Sequence, residues 1–221
     1  MEFARPYPLS YINGYRIVKR AMDLIIILLA LPMVLPLMAL CALAIRLDSP
    51  GPVFFVQERV GKGGRRFRIY KFRTMHHNLD NTDHKTFMRA YVNGEIGQNG
   101  TDKAIFKPFY ESQVTRVGRV LRKTSLDEVP QLFNILKGEM SLVGPRPNVT
   151  WEVEAYKDWH YERLEALPGI TGLAQVNGRS GINFDTIVKY DIDYIRRQSL
   201  GLDLQILGNT VLSIISGRGA H

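Results

Sequence analysis

Two adjacent carboxylates, Asp127 and Glu128, sit in the run Ser125-Leu126-Asp127-Glu128-Val129-Pro130-Gln131, with cations on either side of it: Lys71, Arg73, Arg122 and Arg146. Two unit charges about 4 Å apart repel by about 4 kcal/mol at an effective dielectric near 20, and a helix N-terminus returns about 2 at best. A working acidic pair beside a phosphorylated ligand therefore needs cations, and a divalent metal would neutralise a leaving phosphate. In this reading Asp127 is the nucleophile, and Lys71, Arg73, Arg122 and Arg146 are the candidate anion contacts. Arg146 lies between Pro145 and Pro147, and Pro147 biases it toward extended backbone, which presents the guanidinium from a stiff segment.

The spacing predicts a helix beneath this pair. With Asp127 as the cap, Pro130 falls at the third helical position, where a missing N–H leaves no bond unmade. Val129, Leu132, Phe133 and Leu136 then share an apolar face, and Lys137-Gly138 closes the helix. The same residues have a plainly structural reading, since Asp caps helices routinely and Ser125 with Glu128 has the spacing of a capping box. From these residues alone both readings stand.

Ahead of the site, Leu24 to Ile45 carries no charge over 22 residues, the length of a membrane-crossing helix. Pro32 and Pro36 fall at its centre, and cations flank both ends: Arg16, Lys19 and Arg20 before it, Arg46, Arg59, Lys62 and others after it. Two basic flanks place both ends on the cytoplasmic side, so the expectation is a re-entrant helix-break-helix rather than a spanning helix. A signal peptide with Ala42-Leu43-Ala44 as cleavage site is disfavoured by an apolar region longer than the usual 7–15 residues.

Beyond it, Val53–Gln57 and Phe67–Phe72 are β-branched and aromatic runs joined by Gly61-Lys62-Gly63-Gly64, a β-hairpin whose glycines match no nucleotide-binding spacing. Residues 76–112 are polar and irregular, with Asn93-Gly94 and Asn99-Gly100 as turns, and read as a variable insertion. Its His76, His77, Asp80, Asp83 and His84 read as solvated loop residues rather than a metal cluster. Gln113 to Lys123 carries Arg116, Arg119, Arg122 and Lys123 on a helix or extended approach. In the tail, Leu204, Leu207, Val211, Leu212 and Ile215 recur at helical spacing, and core packing is preferred over a lipid-facing role because few cations accompany them.

The chain has 221 residues and a formal net charge of +8, enough for one catalytic unit and suited to an anionic partner such as a membrane surface or a phosphorylated ligand. A single cysteine, Cys41, excludes an internal disulfide framework. The organisation that follows is α+β and mainly helical: residues 1–48 as N-terminal segment and re-entrant membrane helix, 49–221 as a cytosolic catalytic domain with a small β-hairpin and amphipathic helices at the membrane interface. A membrane-tethered module that only binds anionic lipid is the alternative, and the acidic pair set among cations argues against it.

These segments resemble the bacterial sugar transferase family, the monotopic phosphoglycosyl transferases that use polyprenyl phosphate. The resemblance rests on Lys19-Arg20 with Asp23, Ile69-Tyr70-Lys71-Phe72-Arg73-Thr74-Met75, Ser125 to Gln131, Ser141-Leu142-Val143-Gly144-Pro145-Arg146-Pro147 and Leu167 to Arg179, covering nearly the whole chain from Lys19. It implies that Asp127 attacks the sugar-linked phosphate of a UDP-sugar, expels UMP and passes the phosphosugar to polyprenyl (undecaprenyl) phosphate, initiating membrane glycoconjugate or exopolysaccharide synthesis. It also implies Glu128 as the dyad partner, assisting the second attack or proton handling, Mg2+ at Asp127 and the diphosphate, phosphate or nucleotide contacts from Lys71, Arg122 and Arg146, and a place on the cytoplasmic face of the inner membrane. Arg179 enters as a substrate contact or a turn residue. The family's Ser-Pro at the helix break is Leu35-Pro36 here, with Pro32 added and the hydroxyl missing. The chain looks like the minimal catalytic form, and a homodimer is compatible with it.

Overall fold

The computed structural model describes residues 9–76, 82–95, 113–178 and 182–216. A long helix α1 (Leu9–Asp48) leads into an antiparallel hairpin, β1 (Phe54–Val60) and β2 (Arg66–Phe72), in the register Phe54 opposite Phe72 through Val60 opposite Arg66. Gly63 and Gly64 take positive φ in its turn (65° and 78°), the role expected of them. Helix α2 (Thr82–Asn93) lies within the insertion, and α3 (Arg116–Lys123) is capped by Thr115, whose Oγ1 accepts from Gly118 N at 2.9 Å. A 3-10 helix (Leu126–Gln131) then runs into α4 (Leu132–Lys137). The remainder is β3 (Ser141–Val143), α5 (Thr150–Val153), a further 3-10 helix (Asp158–Glu165), β4 (Gly169–Thr171), α6 (Leu173–Asn177), α7 (Phe184–Arg197) and α8 (Leu200–Ile215), with β3 and β4 paired in parallel. The fold is mainly helical with small sheets, as expected.

Helical backbone continues through Pro32 and Pro36, so the expected break is absent as an unwound segment. Proline's φ near −65° is itself helical, and two missing N–H groups remove bonds without forcing the chain off the helix. Among the described residues α1 is the one helix long and apolar enough to cross a membrane, and Leu28, Leu29, Met33, Leu40, Leu43 and Leu47 on it are more than half exposed.

Its remaining face packs at both ends. Ile27 joins Phe67, Ile69, Ile135, Met140, Tyr194 and Ile206 in one core, while Met38, Cys41 and Ile45 join Phe72 and Leu121 in a second. A third core, Val92 with Phe184, Val188 and Ile192, ties α2 to α7, so this part of the insertion is integral to the fold. Tail helix α8 corrects the sequence reading. It buries Asp203 and Ile206 and packs Leu202 and Leu207, whereas Leu204, Val211 and Leu212 point outward. Amphipathic spacing identified a helix, but the buried stripe is the one centred on Ile206.

Candidate active site

The pair Asp127–Glu128 lies inside the 3-10 helix rather than at a cap. Pro130 has no N–H to give Leu126, so the i→i−4 ladder cannot close and the segment tightens to i→i−3: Glu128 N donates to Ser125 O at 3.2 Å, and Leu132 N reaches Val129 O. The cap position belongs to Ser125, in the left-handed region at φ 57° and with no side-chain cap bond, so the capping box does not form. That backbone costs on the order of 1–3 kcal/mol for a non-glycine residue and sits two residues from Asp127. At three residues per turn Leu126 and Val129 stack on one side and enter the second core, whereas Leu132 and Leu136 beyond the switch enter the first. The single apolar face expected from a uniform helix is thus divided, and Phe133 stays 38% exposed.

Successive side chains on a 3-10 turn diverge by about 120°. Glu128 is directed at two cations: its Oε1 accepts from Lys71 Nζ at 2.7 Å and from Arg146 Nη2 at 3.0 Å. Burial alone would raise its pKa, but Arg146 and Lys71 outweigh it and hold Glu128 down at about 2. Asp127 differs. Among the described residues its carboxylate makes no hydrogen bond or ion pair, and burial, reinforced by Glu128, lifts its pKa above the ordinary 3.8 although Lys71, Arg146 and Arg122 pull the other way. The result is one carboxylate fixed as an anion and a neighbour that is more basic and open.

The cations arrive from three elements. Lys71 comes from β2, where burial and Arg146 lower its pKa against the pull of Glu128. Arg122 comes from α3, its Nε donating to Thr74 Oγ1 at 2.9 Å. This contact depends on Gly118, because a Cβ there would meet Thr74 O at 2.1 Å. Arg146 is presented by the Pro145–Pro147 segment with 49% of its side chain exposed. Behind it Gly144 N donates to Thr171 O at 2.9 Å and Gly169 N to Pro145 O at 3.0 Å, an approach so close that a Cβ on Gly169 would fall 2.1 Å from Gly144 N.

Arg73 is placed elsewhere. Its buried guanidinium donates to Pro50 O at 2.6 Å, Ser49 O at 2.7 Å and Ser49 Oγ at 2.9 Å, where it holds the C-terminal end of α1. Two residues along an extended chain return a side chain to the same sheet face, but Arg73 lies just past the end of β2, and its guanidinium is engaged at the end of α1 rather than brought to Glu128 with Lys71. Arg179 lies outside the described residues, as do His77 and Asp80 of the insertion; among the described residues no three His, Cys, Asp or Glu side chains gather as a metal cage.

Three positioning residues escaped the sequence reading. Asn134, fully buried on α4, accepts from Tyr70 N at 3.1 Å and donates to Arg68 O and to Glu139 Oε2, both at 2.7 Å. It mimics a neighbouring strand on the free edge of β2 and so locks the Lys71 strand to the helix that follows Asp127. Arg163, 3% exposed, donates to Arg146 O at 3.0 Å and pairs with Asp191. Arg59 on β1 donates to Pro147 O at 3.1 Å and Gln57 Oε1 at 2.7 Å; burial lowers its pKa to about 10 against Glu152. All three are long-range contacts with no local pattern to announce them.

The described residues thus set an open carboxylate among cations beside a helix long and apolar enough to cross a membrane. The profile of the bacterial sugar transferase family matches residues 14–217, and the chain belongs to that family. It is 41% identical over 213 residues to the UDP-N-acetylgalactosamine-undecaprenyl-phosphate N-acetylgalactosaminephosphotransferase of Aeromonas hydrophila, covering 94% of this chain and 46% of that one. It is 41% identical to the UDP-glucose:undecaprenyl-phosphate glucose-1-phosphate transferase of Caulobacter vibrioides (92% and 72% covered), and 38% identical to the exopolysaccharide production protein ExoY of Sinorhizobium fredii (92% and 88%). The chain thus spans about half the length of the Aeromonas relative and most of the other two.

Proposed function

We propose that this protein transfers a sugar phosphate from a UDP-sugar to undecaprenyl phosphate through a covalent intermediate on Asp127. The observation that carries the reading is the contrast within the pair: Glu128 is bound by two cations and ionised, while the more basic Asp127 carboxylate has no partner among the described residues. The relatives' names give different sugars at the same 41% identity, so the shared donor is a UDP-sugar and the shared acceptor undecaprenyl phosphate.

In the first step an Asp127 oxygen forms a bond to the sugar-linked phosphorus, the bond from that phosphorus to the bridging oxygen breaks, and UMP leaves with the electron pair. In the second an oxygen of undecaprenyl phosphate attacks the same phosphorus and the aspartate departs as carboxylate, leaving a diphosphate-linked sugar on the lipid. Neither step consumes a proton, consistent with a Glu128 too acidic to carry one at neutral pH; its work is to orient Lys71 and Arg146 on the phosphates. Mg2+ fits this donor set, because it binds through one or two carboxylates together with substrate phosphates; Asp127 would hold it, and it would neutralise the diphosphate.

The same reading puts α1 in the cytoplasmic membrane as a re-entrant element with the catalytic unit on the cytoplasmic face. Both ends of α1 grip that one unit: Arg20 Nη2 donates to Leu136 O at 3.1 Å and Asp23 accepts from Ser141 Oγ at 2.7 Å near the start, while Asp48 accepts from Val117 N at 2.9 Å at the end. The outward leucines between them face lipid, and the outward face of α8 lies at the interface. A panel of UDP-sugars with undecaprenyl phosphate in detergent tests the reaction: UMP release with at least one donor, lost in Asp127→Asn, is expected, and full turnover by that variant overturns it. Single cysteines at positions 14 and 58, both exposed, test the topology, since labelling of one alone from outside the cell excludes a re-entrant helix.

A further inference from the structure

The hairpin turn and the start of α1 enclose an open groove of about 700 Å3 lined by Arg16, Lys62, Gly63, Gly64, Arg66 and Tyr161. Arg16, Lys62 and Arg65 have no carboxylate partner among the described residues, and Arg66 has only an exposed one, Glu58, at 3.3 Å. Lys62 is partly buried, and after burial itself the charges of Arg16 and Arg65 are what lower its pKa. Like charges are therefore held together around a half-enclosed lysine, an arrangement that an anion stabilises. The opposite wall carries Glu154, which faces Arg89 at 4.0 Å, and Glu165.

Position identifies the anion. Arg16 is followed at once by Ile17 and Val18, 72% and 49% exposed, where the apolar surface of α1 begins. On the re-entrant topology proposed above, on which this inference rests, that level is the headgroup layer of the cytoplasmic leaflet. The groove is not the acceptor's place of reaction, because Arg66 and Lys71 stand at opposite ends of β2, five residues or roughly 16 Å apart. We propose that the β1–β2 turn and Arg16 form a binding site for the phosphate of an anionic phospholipid headgroup, a second lipid-phosphate site distinct from that of the substrate.

Native mass spectrometry of the full chain in detergent, titrated with short-chain phosphatidylglycerol, phosphatidylcholine or glycerol 3-phosphate, tests this. Phosphatidylglycerol is expected to bind in preference to phosphatidylcholine. Each cation removed is expected to weaken it about fivefold, so Lys62→Ala/Arg65→Ala loses on the order of thirtyfold. Lys62→Arg/Arg65→Lys should retain binding, and UMP release in detergent should be unchanged in both variants. Equal binding of the two phospholipids, or an unaffected double-alanine variant, overturns the site; glycerol 3-phosphate binding as tightly as phosphatidylglycerol overturns its assignment to lipid. Loss of the catalytic reading would show in UMP release, which is measured separately.

Discussion

Two seams of this molecule each set a carboxylate against a lysine, and they end in opposite states. Where α1 meets α7 and α8, Asp203 is completely buried and accepts from Lys19 Nζ at 3.0 Å, Tyr15 OH at 2.7 Å and Tyr194 OH at 2.8 Å. Where β2 meets the 3-10 helix, Glu128 is likewise bound by Lys71 and Arg146, but the preceding residue, Asp127, carries a carboxylate with no partner among the described residues. In the first seam every charge is used up in holding elements together. In the second, one carboxylate is anchored while its neighbour has no partner among the described residues, and the proposed reactivity of Asp127 rests on that contrast.

Breaking each seam separates the two roles. Asp127→Asn should lower turnover about a thousandfold or more, because the attacking oxygen is lost. Its thermal midpoint should hold or rise, since burial already disfavours the charged aspartate. Asp203→Ala should do the reverse: it strands Lys19 and costs about 3 kcal/mol or more in denaturant titration, while the folded fraction keeps near-native turnover.

Acid sharpens the comparison. Glu128 is depressed from 4.5 to about 2, so its pairing, on the order of 3 kcal/mol, is fully present above pH 4.5 and is lost as pH falls toward 2. Asp127 is raised, so turnover should fail first on acidification, above pH 3.8 and before the fold yields; activity and circular dichroism followed in one titration check the order. The smallest effect belongs to Arg163→Lys. A lysine's single ammonium cannot replace both Nη2, which serves Arg146 O and Asp191, and Nη1, which serves Asn148 Oδ1 and Tyr156 OH, so the KM for the UDP-sugar should rise about tenfold with kcat changed less.

Legibility in the sequence followed the range of the contact. The hairpin, the apolar helix and the candidate acidic pair were readable because each is carried by neighbours in the chain: alternating aromatic and β-branched residues, an uncharged run, two acids beside a proline. The helix type beneath Asp127 was not, since Pro130 fits the first turn of an α-helix as well as a 3-10 helix, and it is the helix start at Leu126, after Ser125 in the left-handed region, that puts the missing N–H where an i→i−4 bond would be needed. Lys71 and Arg73 look equivalent two residues apart, yet one reaches Glu128 and the other holds the end of α1. For α8, hydrophobic spacing gave no means of telling a stripe that faces the core from one that faces lipid. Asn134 reaches Tyr70 across 64 residues of chain and Arg163 reaches Arg146 across 17, beyond any local pattern.

The central claim is that the Asp127 carboxylate becomes bonded to phosphorus during turnover. Intact-protein and peptide mass spectrometry of enzyme quenched with UDP-sugar in the absence of undecaprenyl phosphate tests it directly. The account predicts a gain of one sugar phosphate on the peptide holding Asp127, removed on adding the acceptor and absent from Asp127→Asn. Product formation at full rate with no adduct on that residue under any quench would contradict it.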